Sequence, residues 1–346
     1  MVDQRWEDPA PAEVISLDVA AWDRLLSEYG GNSPGPLQRC LDVARASGAR
    51  TAVVETRYID VDYRSEYSSF YSQIFAPTPS TARRLHFFAS RLEADVLWRL
   101  ADDPGYLGYV VIRPSSLGPV GRTMLVPPPG MADAVRAKVT DQVNFFGKVL
   151  SVTGAPFVQQ DSQLGRCAHA AAWMCHFTAV KRGDVGRLPM AEFSLSAEPA
   201  LGYGRPLPSE GLTVQQLLEL FRLFDLPAVF YEFNNLPDGA RSPWSLPDPV
   251  APLPDVERTD LRFIPIACRY LNSGFPVIVV TYDHAFTLVG YERKPREGTV
   301  DWITFIRNDD QNGPYLTVDD ITNDRDPAGR PYGRWEGLIV PLPDKL

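Results

Sequence analysis

At Cys167 a polar, glycine-containing loop, Gln159-Gln160-Asp161-Ser162-Gln163-Leu164-Gly165-Arg166, turns into an Ala-rich apolar helix that runs past Trp173 and Phe177 toward Lys181-Arg182-Gly183. The helix start puts a thiol at the positive end of the helix dipole, which favours thiolate over thiol. Basic residues face the negative pole at the far end, and Gly183 supplies the positive φ that closes a helix. Two later segments end in chemistry-bearing side chains. Tyr282-Asp283-His284-Ala285-Phe286-Thr287-Leu288-Val289-Gly290-Tyr291 places a histidine at the mouth of an apolar strand, and Trp302 to Asp310 ends another strand in Arg307-Asn308-Asp309-Asp310. Cys, then His, then Asn or Asp is the chain order of a cysteine nucleophile, its base and the group that orients the base.

Charge narrows the partners. Lys and Arg number 34 against 43 Asp and Glu, for a net charge of -9. A nucleic-acid surface is normally met by clustered cations, so no nucleic-acid partner is expected. Met1-Val2-Asp3-Gln4-Arg5-Trp6-Glu7-Asp8 is not a basic stretch followed by an apolar one, and no apolar run approaches the ~20 residues that span a bilayer. A cytoplasmic protein without a membrane partner is the expectation. Cys40, Cys167, Cys175 and Cys268 are too few and too scattered for a disulfide framework and are expected to be reduced thiols.

The chain's 346 residues exceed one average core, so two domains are expected, and 45% apolar with 22% charged content is that of a folding protein. In the first half the apolar spacing predicts a helix over residues 11 to 28, a strand from Thr51 to Tyr63, a second helix from Leu85 to Leu100 and a short strand from Tyr109 to Pro114. The aromatic run Tyr63, Tyr67, Phe70, Tyr71 and Phe75 reads as core. Pro127-Pro128-Pro129-Gly130 is a stiff break, after which a helical pattern restarts near Met131. Domains are accordingly set at 1–130, mixed α/β, and 131–346.

In the second half Thr213 reads as the N-cap of a helix bearing Leu217, Leu220 and Phe221, followed by a strand from Ala228 to Phe233. A Pro-rich loop over 234–258, a helix from Asp260 to Leu271 and a strand from Phe275 to Tyr282 come next. Ala285 to Glu292, Trp302 to Arg307 and Gly337 to Pro341 alternate like strands of one antiparallel sheet. The fold class is α+β, a helical front followed by a sheet.

This half resembles the papain-like cysteine peptidase superfamily, in its helix more the branch of bacteriocin-leader (C39-like) peptidases. The resemblance rests on Cys167-Ala168-His169-Ala170-Ala171-Ala172-Trp173-Met174, on His284-Ala285-Phe286 leading to Val289-Gly290-Tyr291, and on Ile306-Arg307-Asn308 with Gly313-Pro314-Tyr315 after it. It covers about residues 150–346. It implies a papain-like domain with the Cys helix packed on an antiparallel sheet carrying His and Asn or Asp. Cys167 would be the nucleophile, His284 the base and Asn308 or Asp309 the orienting group. The family's oxyanion-hole glutamine falls at Asp161 here, so Gln160 or Gln163 is expected to serve.

The expected activity is a cysteine hydrolase, peptidase or isopeptidase, on a peptide or protein substrate through a thioacyl-enzyme, with no cofactor and no metal. Transamidation or deamidation by the same triad and a catalytically inactive binding protein are the alternatives. A zinc module using His169, Cys175 and His176 is disfavoured because those positions spread over several faces of one helix, and the Asn308-Asp309-Asp310-Asn312 turn lacks the closing glutamate of a calcium loop.

Overall fold

A computed structural model describes residues 12–74, 78–94, 97, 100, 105–161, 167–195, 212–235, 259–295 and 302–343. Strand β1 (Ala12–Ser16) and helix α1 (Val19–Tyr29) meet at Asp18, whose carboxylate accepts the Ala21 N–H at 2.8 Å. The single helix expected over 11–28 is therefore a strand and a helix. Apolar residues run through both, and only the Asp18 cap divides them. Helix α2 (Gly35–Ala46), strand β2 (Thr51–Tyr58), helix α3 (Val61–Ser69) and strands β3 (Ala82–Phe88), β4 (Tyr106–Ile112) and β5 (Val120–Leu125) complete a five-stranded antiparallel sheet in the order β1-β2-β3-β4-β5. Leu85 lies in β3 and does not open a helix. This strand is held between β2 and β4 and buried at every position but Arg83, so its sequence lacks the alternation that marks a half-exposed strand.

Beyond the proline break, β6 (Val139–Phe145) and β7 (Lys148–Gly154) form a hairpin where a helix was expected to restart. Burial alternates strictly along β6, the period-2 signature. The two-residue turn has φ 44° at Phe146 and 83° at Gly147, the paired positive values that a type I′ turn demands.

Helices α4 (Cys167–Arg182), α5 (Met190–Leu195) and α6 (Val214–Leu223) follow, with Thr213 and Gln216 forming a reciprocal capping box at the start of α6. After β8 (Ala228–Glu232) come α7 (Phe263–Asn272), β9 (Val277–Val280), β10 (Ala285–Lys294), β11 (Trp302–Asp309), β12 (Gly313–Val318) and β13 (Gly337–Pro341). These strands form a six-stranded antiparallel sheet in the order β12-β11-β10-β9-β13-β8. The class is α+β. Most of the expected Pro-rich loop, residues 236–258, lies outside the described residues.

Helix α4 is the wedge between the two halves. Ala170, Trp173, Met174 and Phe177 join the apolar cluster that includes Leu37, Phe87 and Val110, whereas Ala171, Ala172 and Cys175 join a second cluster with Leu220, Ile278 and Ile339. A helix gripped on opposite sides has no solvent face, which accounts for its apolar sequence all round. Trp173 stacks on Phe177 at 5.0 Å between ring centroids, and the fully buried Ala170, Ala171 and Ala172 let the sheets approach closely. The first cluster also takes in Val289, Ile306 and Tyr315, so apolar packing is continuous across residue 130. On β10, a Cβ at Gly290 would lie 2.1 Å from the Ala134 carbonyl, so only glycine lets the segment ahead of β6 cross the strand there.

Candidate active site

Cys167 is the first residue of α4, partly exposed, with its backbone N–H among those the helix leaves without an internal partner. His284 arrives from the β9–β10 turn. Its backbone N–H donates to the Thr281 hydroxyl at 3.2 Å, while the Thr281 N–H and hydroxyl both donate to the His284 carbonyl, at 2.9 and 3.1 Å. That doubly closed turn fixes where the imidazole starts. In the β10–β11 pairing Thr287 stands opposite Asn308, and extending that register carries His284 to the end of β11 and the turn after it, which hold Asp309, Asp310 and Gln311.

The imidazole is buried, and Cys167 and Asp309 both lie close enough to help raise its pKa. Its Nε2 faces Asp309 Oδ1 at 3.4 Å and Asp310 Oδ1 at 3.8 Å, long separations that make these ion-pair contacts without the alignment of a good hydrogen bond. The Gln311 side-chain amide lies 3.2 Å from Nδ1, and the Tyr332 ring stacks on the imidazole at 5.5 Å.

Asp309 is held on all sides. Its Oδ1 accepts from the Gln311 N–H at 2.9 Å, the Asn312 N–H at 3.2 Å and the Asn312 side-chain amide at 3.3 Å, and its Oδ2 accepts from the Tyr332 hydroxyl. Arg307 stacks over Tyr332 at 4.2 Å and is itself paired with Asp324.

Burial alone would lower the His284 pKa. The contacts with Asp309 and Cys167 and the charges of Asp310 and Asp309 outweigh it and hold the imidazolium up to about 11. Burial works against Asp309 as well, yet the His284 contact and charge, with Arg307 and Tyr332, keep that carboxyl below its ordinary range. Asp310 goes the other way. Burial pushes it up, His284 opposes and the Asp309 charge adds to the rise, and neither carboxylate oxygen accepts a hydrogen bond.

Of the residues singled out from the sequence, the fold gathers Cys167, His284 and Asp309. Asn308 is one residue away but turned elsewhere: its amide donates to the Pro156 carbonyl at 2.9 Å and its Oδ1 accepts the Tyr315 N–H at 3.0 Å, so it ties β12 to the segment after β7 and does not face the imidazole. Gln163 lies outside the described residues, and Gln160 is half-buried with its carbonyl packed over Gly118. The neighbouring Gln159 is fully engaged in structure, its side chain accepting from the Val120 N–H at 3.0 Å and donating to the Ser33 carbonyl at 3.2 Å. Asp161 points inward and accepts from the Tyr71 hydroxyl at 2.8 Å. Tyr332, Gln311 and Asp310 were not assigned roles from the sequence. The first two carry no local pattern, and Asp310 reads as one more polar residue in a strand-end turn.

Among the described residues, the histidine and carboxylates whose donor atoms lie close enough to share a metal ion are His284, Asp309 and Asp310, within 4.8 Å of one another. Four donors already occupy the Asp309 carboxylate, so an ion there would have to compete with them. His169, Cys175 and His176 are buried on α4, and His176 Nε2 accepts the Leu188 N–H at 3.3 Å. No helix among the described residues is long and apolar enough to cross a membrane. Compared with known proteins, the chain matches no family model and no curated protein.

Proposed function

We propose that this chain is a papain-like cysteine hydrolase, a peptidase or isopeptidase, acting on a peptide or protein through Cys167, His284 and Asp309. The observation that carries the reading is one partly exposed thiol at a helix start, close enough to a buried histidine to help raise its pKa, with that histidine's Nε2 facing a carboxylate. With Nε2 turned to the carboxylates, the thiol proton would pass to Nδ1, the nitrogen that also meets the Gln311 amide. The thiolate then attacks the carbonyl carbon, and the Cys167 backbone N–H stabilises the oxyanion by about 3 kcal/mol, the usual contribution of one such donor. The imidazolium protonates the departing amine as the C–N bond breaks, leaving a thioester. Water, deprotonated by His284, cleaves that thioester and returns the thiol. Asp309 keeps the ring in the productive tautomer.

The test is acylation by p-nitrophenyl acetate. Release of one nitrophenolate with acetyl recovered on the Cys167 peptide, abolished in Cys167→Ala and strongly slowed in His284→Ala, is the expected result. Release that persists in Cys167→Ala, or no acetyl on Cys167, refutes it. A second reading, a binding protein that retains the fold without turnover, draws on the engaged Gln159 and the inward Asp161 at the place of the oxyanion glutamine. Full biological activity of Cys167→Ala would select it.

A further inference from the structure

The hairpin that presents Asp309 to His284 is gripped from the first half of the chain. Strands β11 and β12 are joined by the turn that holds Asp310, Gln311 and Asn312, and α2 packs on β12. Arg39 of α2 donates from Nε to the Pro314 carbonyl at 3.0 Å and from Nη2 to the Tyr315 carbonyl at 2.5 Å. The approach is so close that a Cβ at Gly313 would lie 2.5 Å from Arg39 Cβ. Tyr315, fully buried, is anchored at its far end as well. Its hydroxyl donates to the Leu125 carbonyl, at the end of β5, at 2.8 Å and accepts the Ala155 N–H, just after β7, at 2.8 Å.

The backbone of Tyr315 joins that anchor to the site. Its φ of 57° lies in the left-handed region that a residue with a Cβ disfavours, a conformation that persists only where the surroundings over-determine it. They do so here: Arg39 takes the carbonyl, β5 and Ala155 take the hydroxyl, and the N–H donates to Asn308 Oδ1 at 3.0 Å. Asn308 is tied in turn to the Pro156 carbonyl at 2.9 Å. Successive residues of a strand face opposite ways, so holding Asn308 toward Pro156 and Tyr315 turns Asp309 to the other face, where its Oδ1 lies 3.4 Å from His284 Nε2.

We infer that Arg39 and Tyr315 are positioning residues for Asp309, through which α2 and the end of β5 hold the β11–β12 hairpin against His284. A guanidinium fork suits this role, because each bond fixes a carbonyl in direction as well as distance. The consequence for catalysis rests on the cysteine hydrolase reading, in which Asp309 orients the base. The placement itself is read at His284: attraction between charges falls with separation, and a retreat of about 1 Å from 3.4 Å weakens it by about a quarter.

Proton NMR of His284, its resonance identified by loss in His284→Gln, reports that separation without turnover. Arg39→Met keeps the stem and removes both donors, and Tyr315→Phe keeps the ring and removes the hydroxyl. Each is expected to lower the His284 midpoint by about half a pH unit, roughly threefold in acidity. Tyr109→Phe deletes another buried hydroxyl bond, to Asp141 at 2.6 Å, away from the hairpin, and should leave the midpoint in place. A midpoint unmoved in either folded variant overturns the inference, as does one that falls equally in Tyr109→Phe, since general loosening would then be the cause. If Tyr315→Phe fails to fold, Arg39→Met decides alone. Wild-type protein that is never acylated at Cys167 by p-nitrophenyl acetate overturns the hydrolase reading instead, and the midpoints still decide the placement.

Discussion

Replacing Asp309 with asparagine keeps the shape of the side chain and the acceptor that holds the Gln311 and Asn312 N–H groups, and removes the charge facing His284. At 3.4 Å, bare attraction between the charges amounts to about 5 kcal/mol at an effective dielectric near 20. Asp310 remains at 3.8 Å and compensates in part, so the net loss is that of one charged contact, about 1.5–3 kcal/mol. The imidazolium therefore becomes roughly tenfold to a hundredfold more acidic, and its midpoint moves down from about 11 by roughly one to two pH units. Proton NMR can follow this directly, the His284 resonance being the one of the chain's 4 histidines that is lost in His284→Gln. Acylation by p-nitrophenyl acetate should fall in the same variant. A midpoint unmoved in Asp309→Asn, or moved equally in Asn308→Ala, would refute the assignment of Asp309 as the orienting group.

Three further expectations use the same cluster. The folded-state pKa of His284 is raised, so its contribution to stability is fully present below the unfolded value near 6.5 and is lost as pH rises through about 11. Urea midpoints should fall across that range in the wild type and fall less in His284→Gln. Asp310 is a carboxyl raised by burial, so the folded state binds its proton more tightly and stability declines as pH climbs past the ordinary carboxylate value; Asp310→Asn should remove that decline and melt at or above the wild-type temperature near pH 8. Tyr332→Phe keeps the ring against His284 but deletes the donor to Asp309, and should lose about 1.5–3 kcal/mol of stability in denaturant titration, with acylation slowed roughly tenfold.

The sequence was most legible where one face of an element carries a period or a cap. Strands β10, β11 and β13, the Thr213 cap and the run from Cys167 to Arg182 all sit close to where spacing puts them. It misled where burial on both faces erases alternation, as in β3, or where one side chain divides two elements, as Asp18 does. The hairpin of β6 and β7 had a readable signal in its alternation and in Phe146-Gly147, masked by the proline break before it. At the site, chain order pointed to Cys167 and His284 but left Asn308 and Asp309 open, because adjacent residues at a strand end face opposite ways and only the bulge at Arg307–Asp309 settles which one meets the ring. Tyr332, 23 residues beyond Asp309, reaches the site through tertiary folding alone.

The central claim is that His284 activates the Cys167 sulfur. Its most direct measurement is the rate of iodoacetamide alkylation at each cysteine, followed by peptide mass spectrometry between about pH 5 and 8. Cys40, Cys175 and Cys268 are buried thiols pushed up by desolvation. Cys167 should react far faster than all three at the acidic end of the range, and that advantage should vanish in His284→Ala. Labelling of Cys167 no faster than Cys40, or an advantage that survives loss of His284, would contradict the account.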